Sequence, residues 1–230
     1  MTDRIVITAI KAAKTEERED TLVQQMRYTL ELNGVHAITS VCCPGDLRSL
    51  AYGYLATQGY ITPGEEPLSM EQIGCVVKIA FAETPVIQEL VPVASDYRVT
   101  PDIILKQVLE SVKAGVIFKE TGATHSASIN REDSIECHVE DISRSAVLEK
   151  IIGCAYMKNL EIHRSFIILS SRVPSAFVRK IARVGIPIIA AISAPTVQAV
   201  NEADKLGVCL CGFVRGNRMN VYANKWRLGL

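Results

Sequence analysis

The chain has 230 residues, 48% of them apolar, and its 25 lysines and arginines balance 25 acids. That is enough apolar mass for one substantial core, with no overall charge to draw nucleic acid or a membrane surface. No apolar window is long enough to span a bilayer, and the opening "MTDRIVITAIKAAKTEERED" lacks the layout of a signal peptide, so the expected location is the cytoplasm.

In chain order, residues 4–10 alternate weakly as a strand and "KTEERED" reads as a solvated, mobile stretch. "YTLELNGVHAITSV" predicts a hairpin turning at Asn33-Gly34, a dipeptide that tolerates the positive φ angles of a type I′ turn. "CPGDLRSLAYGYLATQG" predicts a helix with Pro44 near its first turn, Leu47, Leu50, Ala51, Tyr54 and Leu55 on one face, and Gly59 as its stop. "CVVKIAF" and "PVIQELVPV" are strand candidates. Pro101 opens a helix to about Ala114 with Ile104, Val108 and Val112 inward. "GVIFKETGATHSASI" and "SIECHVE" look extended, and "SRSAVLEKIIGCAYMK" returns to helical spacing.

Three apolar strands follow, "SFIILSS", "IPIIAAIS" and "VCLCGFV", separated by the helices "PSAFVRKIARVG" and "APTVQAVNEADKLG". Apolar strands without alternation, spaced by helices, indicate a parallel sheet covered on both faces. The fold class is therefore α/β. One domain is expected over 1–230, with 1–99 as a small N-terminal hairpin and helix subregion, 100–230 as the main core, and a seam in the loop between Ala94 and Thr100.

Charge is unevenly placed. From Arg164 onward ten lysines and arginines face only Glu202 and Asp204, so this part is strongly positive and the preceding part equally negative. In a parallel sheet, ligands bind beyond the carboxyl ends of the strands, where the loops "SSRVPS", "SAPT" and "RGNR" lie. Ser171, Ser175, Ser193 and Thr196 offer hydroxyls, two helix starts offer N–H groups, and Arg172, Arg215 and Arg218 offer forked cationic donors. Together they suit a phosphorylated ligand. Taken singly, each serine is also an ordinary helix cap and each arginine an ordinary solvent-facing residue.

The stretch from Ser170 to Tyr222 resembles the C-terminal signature of the formate dehydrogenase accessory sulfurtransferase family (FdhD), in Ser193-Ala194-Pro195-Thr196, Gly212-Phe213 with Arg215, and Asn220 with Tyr222. "CPGDLRSLAYGYLATQGYI", "FKETGATHSASI" and "VEDISRSAVLEKIIG" carry the resemblance back to about Leu30. It implies a cytidine-deaminase-like α/β fold with a mixed or parallel sheet and helices on both faces, in a homodimer. It further implies sulfur accepted as a persulfide from a cysteine desulfurase and passed to a molybdenum bis(guanine dinucleotide) pterin destined for formate dehydrogenase. By that resemblance, Phe213, Val214, Arg215, Gly216, Asn217 and Arg218 contact the cofactor, with Ser193, Ala194, Pro195, Thr196, Ser171 and Arg172 beside them. A guanine nucleotide should bind there, and no metal is expected to be held by the protein itself.

Two departures weigh on the chemistry. The family's CxxC motif is absent, "VPVASDYRVTPD" standing where it would lie, and the family's glycine-arginine-histidine-asparagine run reads Ser143-Arg144-Ser145-Ala146. A sulfur relay needs an exposed thiolate near positive charge. Cys43, at a predicted helix start, is the leading substitute, with Cys42 able to resolve a persulfide. Cys209 and Cys211 read as packing residues of a buried strand, and Cys75, Cys137 and Cys154 as inert. His125 is the best acid–base or cofactor-contacting histidine, a structural role being the alternative.

Other functions fit less well. "HVE" at His138 to Glu140 imitates half of a deaminase zinc signature, but the partner PCxxC is missing. Phosphate-binding GxxxxGK[ST] and dinucleotide GxGxxG patterns are absent, and aromatics at 6% give no stacking cluster for nucleic acid. Two readings remain, a sulfur carrier using an unusual cysteine and a binding relative that keeps the nucleotide site without sulfur transfer.

Overall fold

The computed structural model describes residues 1–230. Strands β1 (Thr2–Lys11) and β2 (Lys14–Val23) form a ribbon of their own, followed by β3 (Met26–Leu32), β4 (Val35–Cys42), helix α1 (Leu47–Gln58), β5 (Ser69–Ile73) and β6 (Val76–Ala80). After an irregular segment come α2 (Pro101–Ala114), α3 (Ile117–Thr121), β7 (His125–Arg131), β8 (Ser134–Asp141) and α4 (Arg144–Met157). The chain closes with β9 (Phe166–Leu169), α5 (Ser175–Arg183), β10 (Ile188–Ala191), α6 (Val197–Lys205), β11 (Cys209–Arg215) and β12 (Arg218–Ala223).

The main sheet is mixed, in the order β12-β11-β10-β9-β7-β8. The three apolar strands β9, β10 and β11 are parallel, as their lack of alternation predicts, and β12, β7 and β8 flank them antiparallel. A second sheet, β4-β3-β6-β5, packs against α1. Helices cover both faces of the main sheet. On one side α1, α4, α5 and α6 share a continuous apolar core with the second sheet, built on residues such as Leu50, Leu55, Leu148 and Ile151. On the other, α2 and the last turn of the chain cover a smaller core around Ile104, Phe166, Ile188 and Val214. No helix is long and apolar enough to cross a membrane.

Several expectations are corrected. "KTEERED" is strand β2, paired along its whole length with β1 from Thr2↔Val23 to Lys11↔Lys14. Its charges escape desolvation because both faces of the ribbon remain largely exposed. "PVIQELVPV" forms no strand. Its backbone is tied instead to other segments, Val93 N–H donating to the Leu206 carbonyl and Arg227 donating from its guanidinium to the carbonyls of Val93, Ser95 and Tyr97. The supposed seam at 94–100 is thus strapped to the chain's last turn by a buried arginine. "GVIFKETGATHSASI" contains the short helix α3, and Val112 faces outward while Ile104 and Val108 are buried.

Helices α1 and α4 meet at two glycines. A Cβ on Gly53 would stand 1.7 Å from the Glu149 carbonyl oxygen, and one on Gly153 would stand 1.8 Å from that of Ser49. Backbone touches backbone there, which fixes the start of α4 against the strand ends.

Candidate functional site

Because β7 is antiparallel to β9 and β8 to β7, the start of β7 and the end of β8 lie at the same edge as the carboxyl ends of the parallel strands. A cavity of about 510 Å³ opens there, lined by His125, Ser126, Glu140, Ser170, Ile192 and Phe118 among others. Ser170 and Ser126 exchange hydrogen bonds across its floor, Ser126 N–H to Ser170 Oγ at 2.9 Å and Ser170 N–H to the Ser126 carbonyl at 3.0 Å. That volume suits a nucleotide-sized group.

His125 is partly buried, and burial, with Arg144 and Arg172 nearby, pushes its imidazole below the usual range. Two guanidiniums therefore stand close to one neutral ring, a setting that welcomes an anion. Glu140 holds the opposite wall. Burial alone would raise its carboxyl, but N–H groups of Val116, Ile117 and Phe118 at 2.8–2.9 Å and the Thr124 hydroxyl at 3.0 Å more than offset this and lower it. The carboxylate caps α3 and orders the loop that leads through Gly122 to His125. Its charge is already spent on the protein.

The three loops meet. Val173 N–H donates to the Ala194 carbonyl, Thr196 N–H to the Val173 carbonyl, and Phe213 N–H to the Ser193 carbonyl, so "SAPT" is a clasp between its neighbours. Pro195 presses on β11 at Gly212, where a Cβ would come within 2.8 Å of its ring. Beyond Gly212 the ladder between β11 and β12 is irregular, and Phe213 takes φ of 52°, a conformation that non-glycine residues rarely adopt. Arg215 donates from Nε to the Ile192 carbonyl at 3.1 Å and lies over the Phe213 ring, which places it at the cavity's rim.

Not every expected contact has a free group to offer. The Thr196 hydroxyl accepts from Ala199 N–H and caps α6, Ser171 is buried with its hydroxyl turned to the Arg172 carbonyl, and Val214 is a core residue. Gly216, Asn217 and Arg218 form the exposed tip of the β11–β12 hairpin, outside the cavity. Arg144 and Glu140 were overlooked by sequence reasoning. The register of β7 with β8 brings them in, and the only signal in the sequence is their position just around the strand-to-helix junction.

Cys43 is corrected outright. The helix starts at Leu47, and the Cys43 side chain is fully buried. Its N–H donates to both oxygens of Asp141 at 3.1 Å, and its carbonyl accepts from Lys150, which pairs with Asp141 at 2.8 Å. Burial raises its thiol instead of lowering it, and pushes that of Cys42 up to about 11. Cys209 and Cys211 are buried packing residues with sulfurs 3.9 Å apart. Cys137 and Cys154, expected to be inert, are brought together from β8 and α4 with their sulfurs 2.8 Å apart.

The FdhD/NarQ family profile matches residues 67–229. The chain belongs to the FdhD/NarQ family. It is 30% identical over 90% of its length to the sulfur carrier protein FdhD of Methanothermobacter thermautotrophicus, covering 91% of that protein. To the sulfur carrier protein FdhD of Bacillus subtilis it is 27% identical, with 91% of both chains covered. Its fold matches, with a TM-score of 0.87 over 99% of both chains at 22% identity, the crystal structure of a Desulfotalea psychrophila protein described as a candidate formate dehydrogenase accessory protein. The family match takes in the cavity and all three loops, so the site's frame is that of the FdhD/NarQ family.

Proposed function

We propose that this chain is a sulfur carrier that serves formate dehydrogenase maturation, and that the cavity edge receives a phosphorylated guanine-nucleotide portion of a molybdenum pterin as its substrate. The observation that carries the proposal is the convergence of Arg144, Arg172 and Arg215 with His125 on one nucleotide-sized cavity. Guanidiniums bind diphosphates through forked hydrogen bonds, and a neutral imidazole beside them can take up a proton as the anion arrives. Sulfur would come from a cysteine desulfurase. The cytidine-deaminase-like relation of the sheet belongs to the same proposal, supported by its three parallel strands between antiparallel flanks. So does a homodimer, supported by Val6 and Ile10, which the free ribbon leaves 68% and 75% exposed.

Calorimetric titration with guanosine diphosphate tests the site. Arg172→Ala and Arg215→Ala should each weaken binding by about 1.5–3 kcal/mol, the usual range for a charge-assisted contact, while Arg218→Ala at the hairpin tip changes it less. No heat with the wild-type chain, or unchanged affinity in both variants, overturns the assignment. The burial of Cys42 and Cys43 favours the second reading, a protein that binds the nucleotide without carrying sulfur, as long as no other thiol can serve.

A further inference from the structure

We infer that Cys154 is the thiol that accepts the sulfur, with Cys137 as the partner that releases it. The inference rests on the sulfur-carrier reading and adds the residues. Of the seven free cysteines, Cys42, Cys43, Cys209 and Cys211 are fully buried, and Cys75 lies exposed in the turn before β6 with no side-chain partner. Cys154 differs from all of these. It is partly exposed on α4, its sulfur lies 2.8 Å from that of Cys137, and Lys158, one turn further along, reaches the Glu136 carbonyl next to Cys137. A donated S–H from Cys137 and the Lys158 ammonium favour the thiolate, and together they outweigh burial and bring the Cys154 thiol to about 7. Cys137 moves the opposite way and stays protonated, because its proton is the one shared with Cys154 and because it is buried. One thiolate and one thiol thus stand in contact at neutral pH, a division of labour that sulfur exchange requires.

The chemistry balances with a persulfide donor, R–S–SH. The Cys154 thiolate attacks the outer sulfur, the donor's S–S bond breaks, and the donor departs as R–S⁻, leaving Cys154–S–SH. For release, the Cys137 sulfur attacks Cys154 Sγ, and the outer sulfur leaves as hydrosulfide carrying the Cys137 proton. In that step the transferred sulfur gains two electrons and the two cysteines lose them, forming a Cys137–Cys154 disulfide. A dithiol reductant restores the pair. Because α4 and β8 already hold the sulfurs together, neither step asks for a mobile loop.

The test uses the full reduced chain, a cysteine desulfurase and cysteine labelled with radioactive sulfur, followed by peptide mapping without reductant. Label on the Cys154 peptide of the wild-type chain, loss of that label in Cys154→Ser, and a longer-lived Cys154 persulfide without disulfide in Cys137→Ser are the expected results. Label that stays in Cys154→Ser on another cysteine overturns the assignment and leaves sulfur carriage standing. A folded wild-type chain that takes no label on any cysteine overturns both. The wild-type map needs no variant, so misfolding of either serine form does not block the decision. Independently, the rate of Cys154 alkylation should rise through a midpoint near neutral pH and shift upward in Cys137→Ser; equal midpoints in the two proteins would remove the role given to Cys137.

Discussion

The two faces of the main sheet solve the problem of buried polarity in opposite ways. On the face covered by α1 and α4, every strongly polar intrusion has a partner. Asp141 meets Lys150 and two N–H groups, and Glu149, whose carboxyl burial raises, meets Lys180. On the face covered by α2, Gln107 Oε1, Asn130 Oδ1 and His138 Nε2 are buried without one. A buried polar atom left without a partner weakens the face that contains it. The first face is therefore built to hold the strand ends still, and the second, which borders the cavity, is held by a smaller apolar core and is the softer of the two.

Mutations should expose that contrast. Asp141→Ala leaves the Lys150 ammonium buried and uncompensated, and should cost about 3–5 kcal/mol in urea unfolding. A smaller loss would mean that water reaches the pair. Gly153→Ala drives a methyl into the Ser49 carbonyl and should cost about 3 kcal/mol through separation of α1 from α4. An unchanged melting curve would mean that the helices are not in backbone contact. On the other face, Gln107→Met at similar volume should be neutral or stabilising by up to about 1 kcal/mol, since it removes an atom with no partner. Substantial destabilisation would show that Gln107 has a partner after all.

The smallest effect is a pH dependence at the border of the two faces. The folded chain holds the His125 imidazole below its usual range, so protons bind the unfolded chain more readily. Stability from this residue is complete above the ordinary imidazole range and declines as pH falls through it toward the depressed folded value. In His125→Ala that decline should vanish, and a bound anion should reduce it by drawing the imidazole back up. Histidine titration by NMR, with and without guanosine diphosphate, reads both.

Much of the frame was legible in the sequence because its signals are local. Asn33-Gly34 dictated a turn with φ of 48° and 78°, Thr100-Pro101 opened a helix, and the unalternating strands 166–169, 188–191 and 209–215 announced a parallel centre. What escaped depends on distant partners. β2 has no apolar face to betray it and exists through backbone pairing with β1. α3 is too short to show a period, and a carboxylate from β8 caps it. The apolar run 85–93 looked like a strand because its ties to Leu206 and Arg227 leave no mark in its own residues. For the site, the loops and arginines could be named from the chain alone. The thiols could not, since Cys137 and Cys154 meet only after a strand and a helix have packed, and burial reverses the promise of Cys43.

Arg227, stacked on Trp226 and hydrogen-bonded to four carbonyls from Val93, Ser95, Tyr97 and Gly207, gives the segment near residue 95 its place. During synthesis on the ribosome, that segment must therefore wait, unanchored, while well over a hundred further residues emerge. A chaperone or protease that samples the growing polypeptide would find its handle there, and would lose it once the guanidinium arrives.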